Sequence, residues 1–349
     1  MRFSDSLKQS NQLCSFSPDG RHLAHVFQCR LVVRPVTTDD DVSENIDESD
    51  DDTLLYVCTD VVTFMEWSPD SKYILCGLQR KSLIQVWSIC DPEWTCKLTH
   101  GNFGLTSVRW SPDSQHILGA SEMKLRITVW SLVNKSVSYI EYPKYTTKGL
   151  VYTHDGKYMA VAERRDQQDH VSVFSCTDDT WHLLNRFPVD TNDMADMKFS
   201  PSAHMLAIWD SKVEYKVAVY SLDGRLVFSY SANDIALLGV KTVTWCPSNN
   251  YLYIGSYDQQ VRVINTLIWK PVCSLPHLGK ITNPDVAVYE EIDDNAHFVL
   301  HDEPVQISSH RPDVEKANPK LGVGTIACCH GDGKYMATKN DNMSHVIWI

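Results

Sequence analysis

The chain has 349 residues, enough for one large core or two ordinary domains, and 43% of them are hydrophobic, including ten Trp and fifteen Tyr. Its formal net charge is −12, of which residues 39–52 contribute −9 through nine acids and no Lys or Arg. An acidic chain without a basic stripe argues against binding to nucleic-acid phosphates or to an anionic membrane.

The first residues, "MRFSDSLKQSNQLC", contain no apolar segment of the kind found in secretory signals, and no apolar run reaches membrane-spanning length. Eleven Cys are spread along the chain without a C-x-x-C pair, and most lie inside apolar runs, such as Cys76 in "YILCGL". We therefore expect reduced thiols that fill strand cores, in a soluble intracellular protein.

A related segment recurs seven times, and most copies combine an apolar alternation with a turn sequence such as "SPDG" or "SPDS". Pro, Asp and then Gly or Ser are the residue types that build tight turns between antiparallel strands. The spacings of 51, 43, 42, 47, 46 and 84 residues reduce to a period of about 42 once two inserts are set aside. The copies start at Phe16, Trp67, Trp110, Tyr152, Phe199, Trp245 and Cys329.

A short β-branched run ending in a large residue follows each start by 18 to 22 residues, as in "RITVW". The alternation of apolar and polar residues in both landmarks is typical of half-buried strands, and a weaker fourth strand such as "EWTCKLTH" or "SVSYIEY" follows. Four short antiparallel strands in about 42 residues describe one blade of a WD-repeat β-propeller. The sequence therefore predicts an all-β fold with about seven four-stranded blades over residues 1–349.

Two inserts interrupt the repeats. Residues 39–52 fall between the third and fourth strands of the first blade, and their composition predicts a solvated, protease-sensitive loop; binding to a basic partner is the alternative. Residues 285–318 form a second, longer insert that contains His297, His301, Asp302 and Glu303. These four could cluster, but we expect a solvated loop rather than a metal site.

The stretch "AERRDQQDH" lies between the second and third strands of the fourth repeat, where we expect a charged hairpin tip. Two interpretations stay open: a tip charged only because it is solvated, or part of a rim that binds a partner. Catalysis is disfavoured because no activated nucleophile accompanies the charges. The candidate partner-binding rim, which includes equivalent connections in other repeats, comprises Arg80, Lys81, Glu163, Arg164, Arg165, Asp166, Tyr257 and Asp258.

No motif predicts a cofactor, a metal or a catalytic centre. His22 and His25 are three residues apart on a strand and point to opposite faces, so they cannot share a metal. The adjacent Cys328 and Cys329 are expected to be structural rather than reactive. Neither a glycine-rich phosphate cradle nor a nucleophile elbow is found in the sequence.

The chain ends at Ile349, just after the third strand of the seventh repeat. A propeller closes when its last blade takes a strand from the other terminus, because an edge otherwise stays unpaired. Either the segment "RFSDSLK" at 2–8 supplies that strand, or the chain is an incomplete copy of a longer protein.

Several stretches resemble one WD-repeat family more closely than WD repeats in general. They are "LRITVWSLVNKSVSYIEYPK" (125–144), "KYMAVAERRD" (157–166), "LAIWDSKVEYKVAVYSLDGRL" (206–226), "GSYDQQVRVIN" (255–265) and "KANPKLGVG" (316–324). The family is that of spindle poles and centriolar satellites, first named for being encoded antisense to a p53-relative gene. Its members usually continue for about two further repeats.

The resemblance implies a non-enzymatic adaptor, located in the cytoplasm and cytoskeleton at centrosomes, centriolar satellites and spindle poles. Family members pair with a coiled-coil protein, the synovial-sarcoma-X-breakpoint interacting protein in animals or its fungal spindle-anchoring counterpart. With it they anchor microtubule minus ends, maintain spindle poles and support cilium assembly, so the association with microtubules is indirect. The alternatives are a general WD-repeat scaffold, such as a ubiquitin-ligase substrate receptor, and a propeller hydrolase.

Overall fold

The computed structural model describes residues 8–10, 13–36, 53–177, 181–231, 238–292, 297–310, 320–328 and 334–349. Outside these ranges lie the acidic segment 39–52, Cys329 and residues 2–7 of the segment 2–8. The predictions made for these residues are therefore not addressed by the structure. The chain divides into two compact units, Met1–Phe187 and Pro188–Ile349. Each is described by itself.

The predicted all-β class is confirmed. The described residues form β-strands and four short 3-10 helices, with no α-helix among them; the 3-10 helices are Gln79–Lys81, Gly101–Phe103, Glu122–Lys124 and Asp341–Met343. No described helix is therefore long and apolar enough to cross a membrane.

The first unit contains four four-stranded sheets, and in each sheet the strands are neighbours in chain order. Strands that are neighbours in each sheet pair antiparallel, as in a meander. The first sheet is formed by β1 (Cys14–Phe16), β2 (His22–Phe27), β3 (Arg30–Pro35) and β4 (Leu54–Val57). The second has β5 (Phe64–Trp67), β6 (Tyr73–Leu78), β7 (Leu83–Ser88) and β8 (Thr95–Thr99). The third has β9 (Ser107–Trp110), β10 (His116–Ala120), β11 (Arg126–Ser131) and β12 (Val137–Glu141), and the fourth has β13 (Leu150–Tyr152), β14 (Tyr158–Arg165), β15 (Gln168–Ser175) and β16 (His182–Pro188).

The second unit contains two further four-stranded sheets, one three-stranded sheet and two strand pairs. The fifth sheet has β17 (Met194–Phe199), β18 (Met205–Asp210), β19 (Lys216–Ser221) and β20 (Leu226–Ser231). The sixth has β21 (Val240–Trp245), β22 (Tyr251–Ser256), β23 (Gln260–Asn265) and β24 (Lys270–Pro276). The strand pairs use β25 (Lys280–Ile281), β26 (Val288–Glu291), β27 (Phe298–His301) and β28 (Val305–Gln306), and the seventh sheet has β29 (Val323–Cys328), β30 (Met336–Asn340) and β31 (Ile347–Trp348).

The Trp residues at three repeat starts lie at the ends of first strands and connect consecutive sheets. Trp67, Trp110 and Trp245 are 6%, 5% and 6% exposed, as expected of core residues. Each indole N–H donates a hydrogen bond to a backbone carbonyl in the first strand of the preceding sheet, at Ser15, Glu66 and Lys198, over 3.1, 3.3 and 3.1 Å. A buried indole nitrogen needs such an acceptor, so this contact fixes neighbouring sheets in register.

The "SPDG" and "SPDS" turns are ordered by their own side chains. The Ser17 hydroxyl donates to the Asp19 carboxylate over 2.5 Å, and that carboxylate accepts from the Arg21 backbone N–H over 3.1 Å. The Asp19 backbone N–H in turn donates to the Ser71 hydroxyl in the next turn, over 3.1 Å. The sequence signal for a turn is therefore also a contact between sheets.

The hydrophobic core lies between consecutive sheets. In the first unit one buried cluster joins the first and second sheets, another the second and third, and a third the third and fourth. Ile74, Ile117 and Met159 are each fully buried in one of these clusters. Sheets that share buried faces in this way are the blades of the predicted propeller class.

The insert at 285–318 is not simply a solvated loop. It contains β26 and β27, which pair as a hairpin, and β28, which pairs with β25. The alternation "VYEE" and "FVLH" is compatible with strands, but its two charged positions hid the pattern from sequence reasoning.

Candidate partner-binding surface

The hairpin formed by β14 and β15 is longer than its sequence suggested. The strands pair from Tyr158↔Ser175 to Arg165↔Gln168, so only Asp166 and Gln167 form the turn. Both turn residues have positive φ, 46° and 65°, as a tight two-residue hairpin requires. Glu163, Arg164 and Arg165 are therefore strand residues, and their assignment to the hairpin tip was wrong.

Two fully buried carboxylates lie on this hairpin, and each is paired with basic side chains. The Glu163 carboxylate contacts the guanidinium groups of Arg165 at 2.8 Å and Arg186 at 3.1 Å. The Asp169 carboxylate contacts Lys144 Nζ and Arg164 Nη1, both at 2.9 Å. A buried carboxylate is tolerated only when it is paired and hydrogen-bonded, so these basic groups stabilise the fourth sheet and the chain entering it.

The network limits how the charged residues of "AERRD" can contact a partner. Glu163 and Asp169 are both 0% exposed, and the side chains of Arg164 and Arg165 are 37% and 29% exposed. Of the four predicted rim residues here, only Asp166 is fully exposed. Reversing Arg164 and Arg165 to Glu should therefore disturb folding, because the new carboxylates would face buried ones.

The other predicted rim residues lie in separate places. Arg80 and Lys81 belong to the 3-10 helix between β6 and β7 and are exposed, with Lys81 Nζ donating to the Thr59 carbonyl over 2.8 Å. In the second unit, Tyr257 is buried, and burial raises the pKa of its hydroxyl. Asp258 pairs with Arg262 at 2.7 Å. Tyr257 is thus buried and Asp258 is ion-paired, whereas the residues of a partner-binding rim would be exposed and unpaired.

An exposed surface of aromatic and basic side chains lies next to the β14–β15 network in the first unit. We define this basic–aromatic surface by Phe103, Lys124, Arg126, Tyr139, Tyr142, Tyr145 and Lys148. The Arg126 guanidinium lies 4.0 Å from the centre of the Phe103 ring and 4.2 Å from that of Tyr139. These two rings are 42% and 54% exposed, so an arginine layered between them presents a flat, partly apolar contact area.

The same pattern continues along the chain segment that leads from β12 to β13. Lys148 Nζ lies 4.3 Å from the centre of the Tyr145 ring, and Lys124 Nζ approaches the same ring at 5.6 Å. Both lysines are exposed, and neither forms an ion pair with another described residue. Tyr142, 53% exposed, stacks with the Arg165 guanidinium at 4.7 Å, which joins the surface to the buried network.

The surface suits a protein partner that carries acidic and apolar groups. Tyr, Phe and Arg are the residue types enriched at the energetic centres of protein interfaces, and unpaired lysines at the edge attract acidic side chains. Two acids border this surface: Glu141 is opposite Arg126 in the β11–β12 pairing, and the Glu122 side chain lies against Gly104 beside Phe103. The surface was missed in the sequence because its members come from five separate segments, and none forms a motif.

A metal site is not found within the described ranges. There, no three His, Cys, Asp or Glu side chains lie close enough to hold a metal ion. His301, one of the four residues suspected of clustering, has a partner outside that group: its Nε2 lies 2.5 Å from the Glu290 carboxylate on the exposed hairpin. His100, which could have attracted attention as a base, contacts Thr128 Oγ1 and the Gly119 carbonyl at 3.2 Å each, and burial lowers its pKa.

Comparison with known proteins shows the family of this chain. The family model "WD domain, G-beta repeat" matches residues 93–130 and 224–265. The mouse "WD repeat-containing protein WRAP73" is 43% identical over the whole chain, which covers 78% of the mouse protein. The chain belongs to the WRAP73 family of WD-repeat proteins.

Two more distant similarities accompany the WRAP73 match. An uncharacterised WD repeat-containing protein of Schizosaccharomyces pombe is 23% identical over 55% of this chain and 40% of its own length. The crystal structure of the Cps50 (Swd1) β-propeller domain of Myceliophteria thermophila aligns with 78% of this chain and 88% of that domain, at 10% identity and a TM-score of 0.44. As a WRAP73-family member the chain is a WD-repeat scaffold, and the predicted family resemblance is confirmed.

Proposed function

We propose that this protein is a non-enzymatic adaptor of centrosomes and spindle poles, which binds a coiled-coil partner through its basic–aromatic surface. Through that partner it would help anchor microtubule minus ends, organise the spindle and support cilium assembly. The observation that carries the proposal is the 43% identity to mouse WRAP73 over the whole chain. It joins this chain to the family whose role the sequence resemblance implies.

The surface chemistry supports the choice of partner. Coiled coils carry rows of Glu and apolar residues along their helices, and these match lysines set beside a half-buried aromatic ring and an arginine set between two exposed ones. Lys124 and Lys148 flank Tyr145, while Arg126 lies between Phe103 and Tyr139. An acidic helix laid across this surface would exchange water for contacts with both kinds of side chain.

The site chemistry supports an adaptor rather than an enzyme. The charged groups that resembled an active site, Glu163 and Asp169, are paired with basic side chains inside the fourth sheet. Paired carboxylates of this kind stabilise a scaffold, whereas a catalytic acid or base must reach a substrate.

Proximity labelling in dividing cells tests the proposal. The full chain would carry a labelling enzyme, and a matched sample would carry the same enzyme alone. We expect enrichment of centrosomal coiled-coil proteins and fluorescence of the tagged chain at spindle poles. Enrichment of ubiquitin-ligase or chromatin subunits, with no signal at the poles, would instead favour a WD-repeat scaffold of another assembly.

A further inference from the structure

Four strands, β25 to β28, form an arm that connects the sixth sheet to the chain that enters the seventh, and residues 293–296 between β26 and β27 lie outside the described ranges. At its base, Lys280↔Gln306 and Ile281↔Val305 pair as β25 and β28. Beyond this base, β26 and β27 form a hairpin with the register Val288↔His301 to Glu291↔Phe298. The arm is thus a hairpin nested within a shorter strand pair.

The base of the arm is attached to the second unit by a small core. Ile281 and Ile307, each 8% exposed, pack with Met343, which is 3% exposed. Val288 packs against the same cluster from the start of β26. The base and the start of β26 are therefore packed against the second unit, whereas the other residues of β26 and all of β27 are exposed.

The opposite side of the hairpin is an apolar face. Residues paired across an antiparallel ladder lie on the same side, so Tyr289↔Leu300 and Glu291↔Phe298 share the face that does not carry Val288. Tyr289, Leu300 and Phe298 are 63%, 57% and 62% exposed. We call these three residues the outer face of the arm.

Such a face is unusual for a two-stranded hairpin in water. Two strands alone are marginally stable, and contiguous exposed apolar residues rimmed by charge mark interaction sites. The described part of the arm is acidic: it carries Asp285, Glu290, Glu291, Asp302 and Glu303 against one lysine, Lys280. An acidic rim repels nucleic acid and anionic membranes, so the complementary partner is a protein with apolar and basic groups.

We propose that the outer face of the arm docks an amphipathic helix whose apolar stripe is flanked by Lys or Arg. A strand added to an edge of the hairpin would pair backbone groups but leave Tyr289, Leu300 and Phe298 in water. A helix laid across the face covers all three, and its basic flanks reach Glu291 and the neighbouring acids. The inference rests on the proposed adaptor function only for the source of the helix in the cell.

Synthetic peptides of about three heptads test this directly with the purified full chain. The probe is a labelled Leu/Lys amphipathic helix, and two controls have the same length: one with its leucines scrambled, one with Glu replacing Lys. Fluorescence anisotropy should show binding of the first peptide alone. Hydrogen exchange should show protection of residues 288–291 and 298–301 when that peptide is added.

Variants then locate the binding. Tyr289→Ser with Leu300→Ser should weaken binding by at least about tenfold, the loss of two apolar contacts. The matched control, Val272→Ser with Leu275→Ser, removes two apolar residues from β24 that are 57% and 43% exposed, and should leave affinity within about twofold. Glu291→Lys should weaken the Leu/Lys peptide and strengthen the Leu/Glu peptide.

The outcomes separate clearly. Equal binding by the scrambled peptide would show attraction by charge alone, and equal losses in both double variants would show that the arm is not the site; either result overturns the proposal. Binding of an extended peptide with no helix formed would replace helix docking with strand addition. The peptide assay uses purified protein. A negative result would therefore overturn helix docking at the arm without affecting the proximity-labelling test of the adaptor function.

Discussion

Glu163 and Asp169 show how burial changes the meaning of a charged residue. Both acids follow or precede short polar runs and read as solvated, yet each is fully buried and paired with two basic side chains. Lys144 and Arg186, which complete the network, come from the segment after β12 and from β16. Sequence reasoning could not anticipate this pairing, because Lys144 is 25 residues from Asp169 along the chain and Arg186 is 23 residues from Glu163.

Replacing Glu163 with Ala should destabilise the protein strongly. The substitution leaves the partly exposed guanidinium groups of Arg165 and Arg186 without their shared carboxylate, and the loss of such charge-assisted hydrogen bonds lowers the free energy of unfolding by about 1.5–3 kcal/mol. Asp166→Asn, at the exposed turn beside it, keeps a residue type that tolerates the positive φ of 46° and should change the free energy by less than about 0.5 kcal/mol. Urea denaturation of both variants measures the difference, and equal stability would contradict a structural role for Glu163.

His277 should make stability depend on pH below neutrality. Its ring stacks on Trp348 at 4.7 Å, its Nε2 contacts Thr338 Oγ1 at 3.0 Å, and burial lowers its pKa to about 4. The unfolded chain, with a histidine pKa of about 6.5, therefore takes up this proton first as the pH falls. The contribution of His277 is fully present above about pH 6.5 and is lost as the pH falls toward 4.

Urea midpoints at pH 7, 6, 5 and 4 test this for the wild type and for His277→Gln. The glutamine can still donate to Thr338 but cannot titrate, so the decline in stability between about pH 6.5 and 4 should be smaller in the variant. Parallel declines in the two proteins would show that His277 does not titrate with a lowered pKa.

At the scale of strands and sheets, the sequence predicted most of the fold because its signals are local. Tight turns, alternating strands and buried Trp residues are set by neighbouring residues, and Trp67, Trp110 and Trp245 are buried as expected. The length of the β14–β15 hairpin and the pairing of β26 with β27 escaped because charged residues break the alternation there. The first hairpin depends on contacts with residues outside its two strands, and the second has an unusual exposed apolar face.

Trp130 joins the second and third sheets and should be costly to remove. Its ring is 5% exposed, packs edge-on to His100 at 5.5 Å, and lies so close to Gly119 that a Cβ there would be 2.7 Å from Cζ3. Trp130→Ala should lower the free energy of unfolding by about 3–5 kcal/mol. Phe16→Ala, at a site 59% exposed, is the control and should have a much smaller effect in the same denaturation assay. Similar losses for the two variants would contradict the assigned packing.

For the whole molecule, two surfaces of opposite character are consistent with an adaptor. The first unit carries the basic–aromatic surface, and the second carries the acidic arm with its apolar outer face. One favours acidic and the other basic helical partners, so the two can be occupied by different proteins. Family membership could be predicted from the sequence, whereas both surfaces needed the structure because each combines residues from separate strands.

The most direct test of the adaptor proposal is the amount of protein at spindle poles when the basic–aromatic surface is reversed. Lys124→Glu with Lys148→Glu changes two exposed charges, which should alter stability by no more than about 1 kcal/mol each. We expect the variant to fold normally, to lose its pole signal and to stop co-purifying with its coiled-coil partner. Arg80→Glu with Lys81→Glu, an exposed pair elsewhere in the first unit, should keep both. Normal pole signal and partner binding in the Lys124 and Lys148 variant would contradict the account.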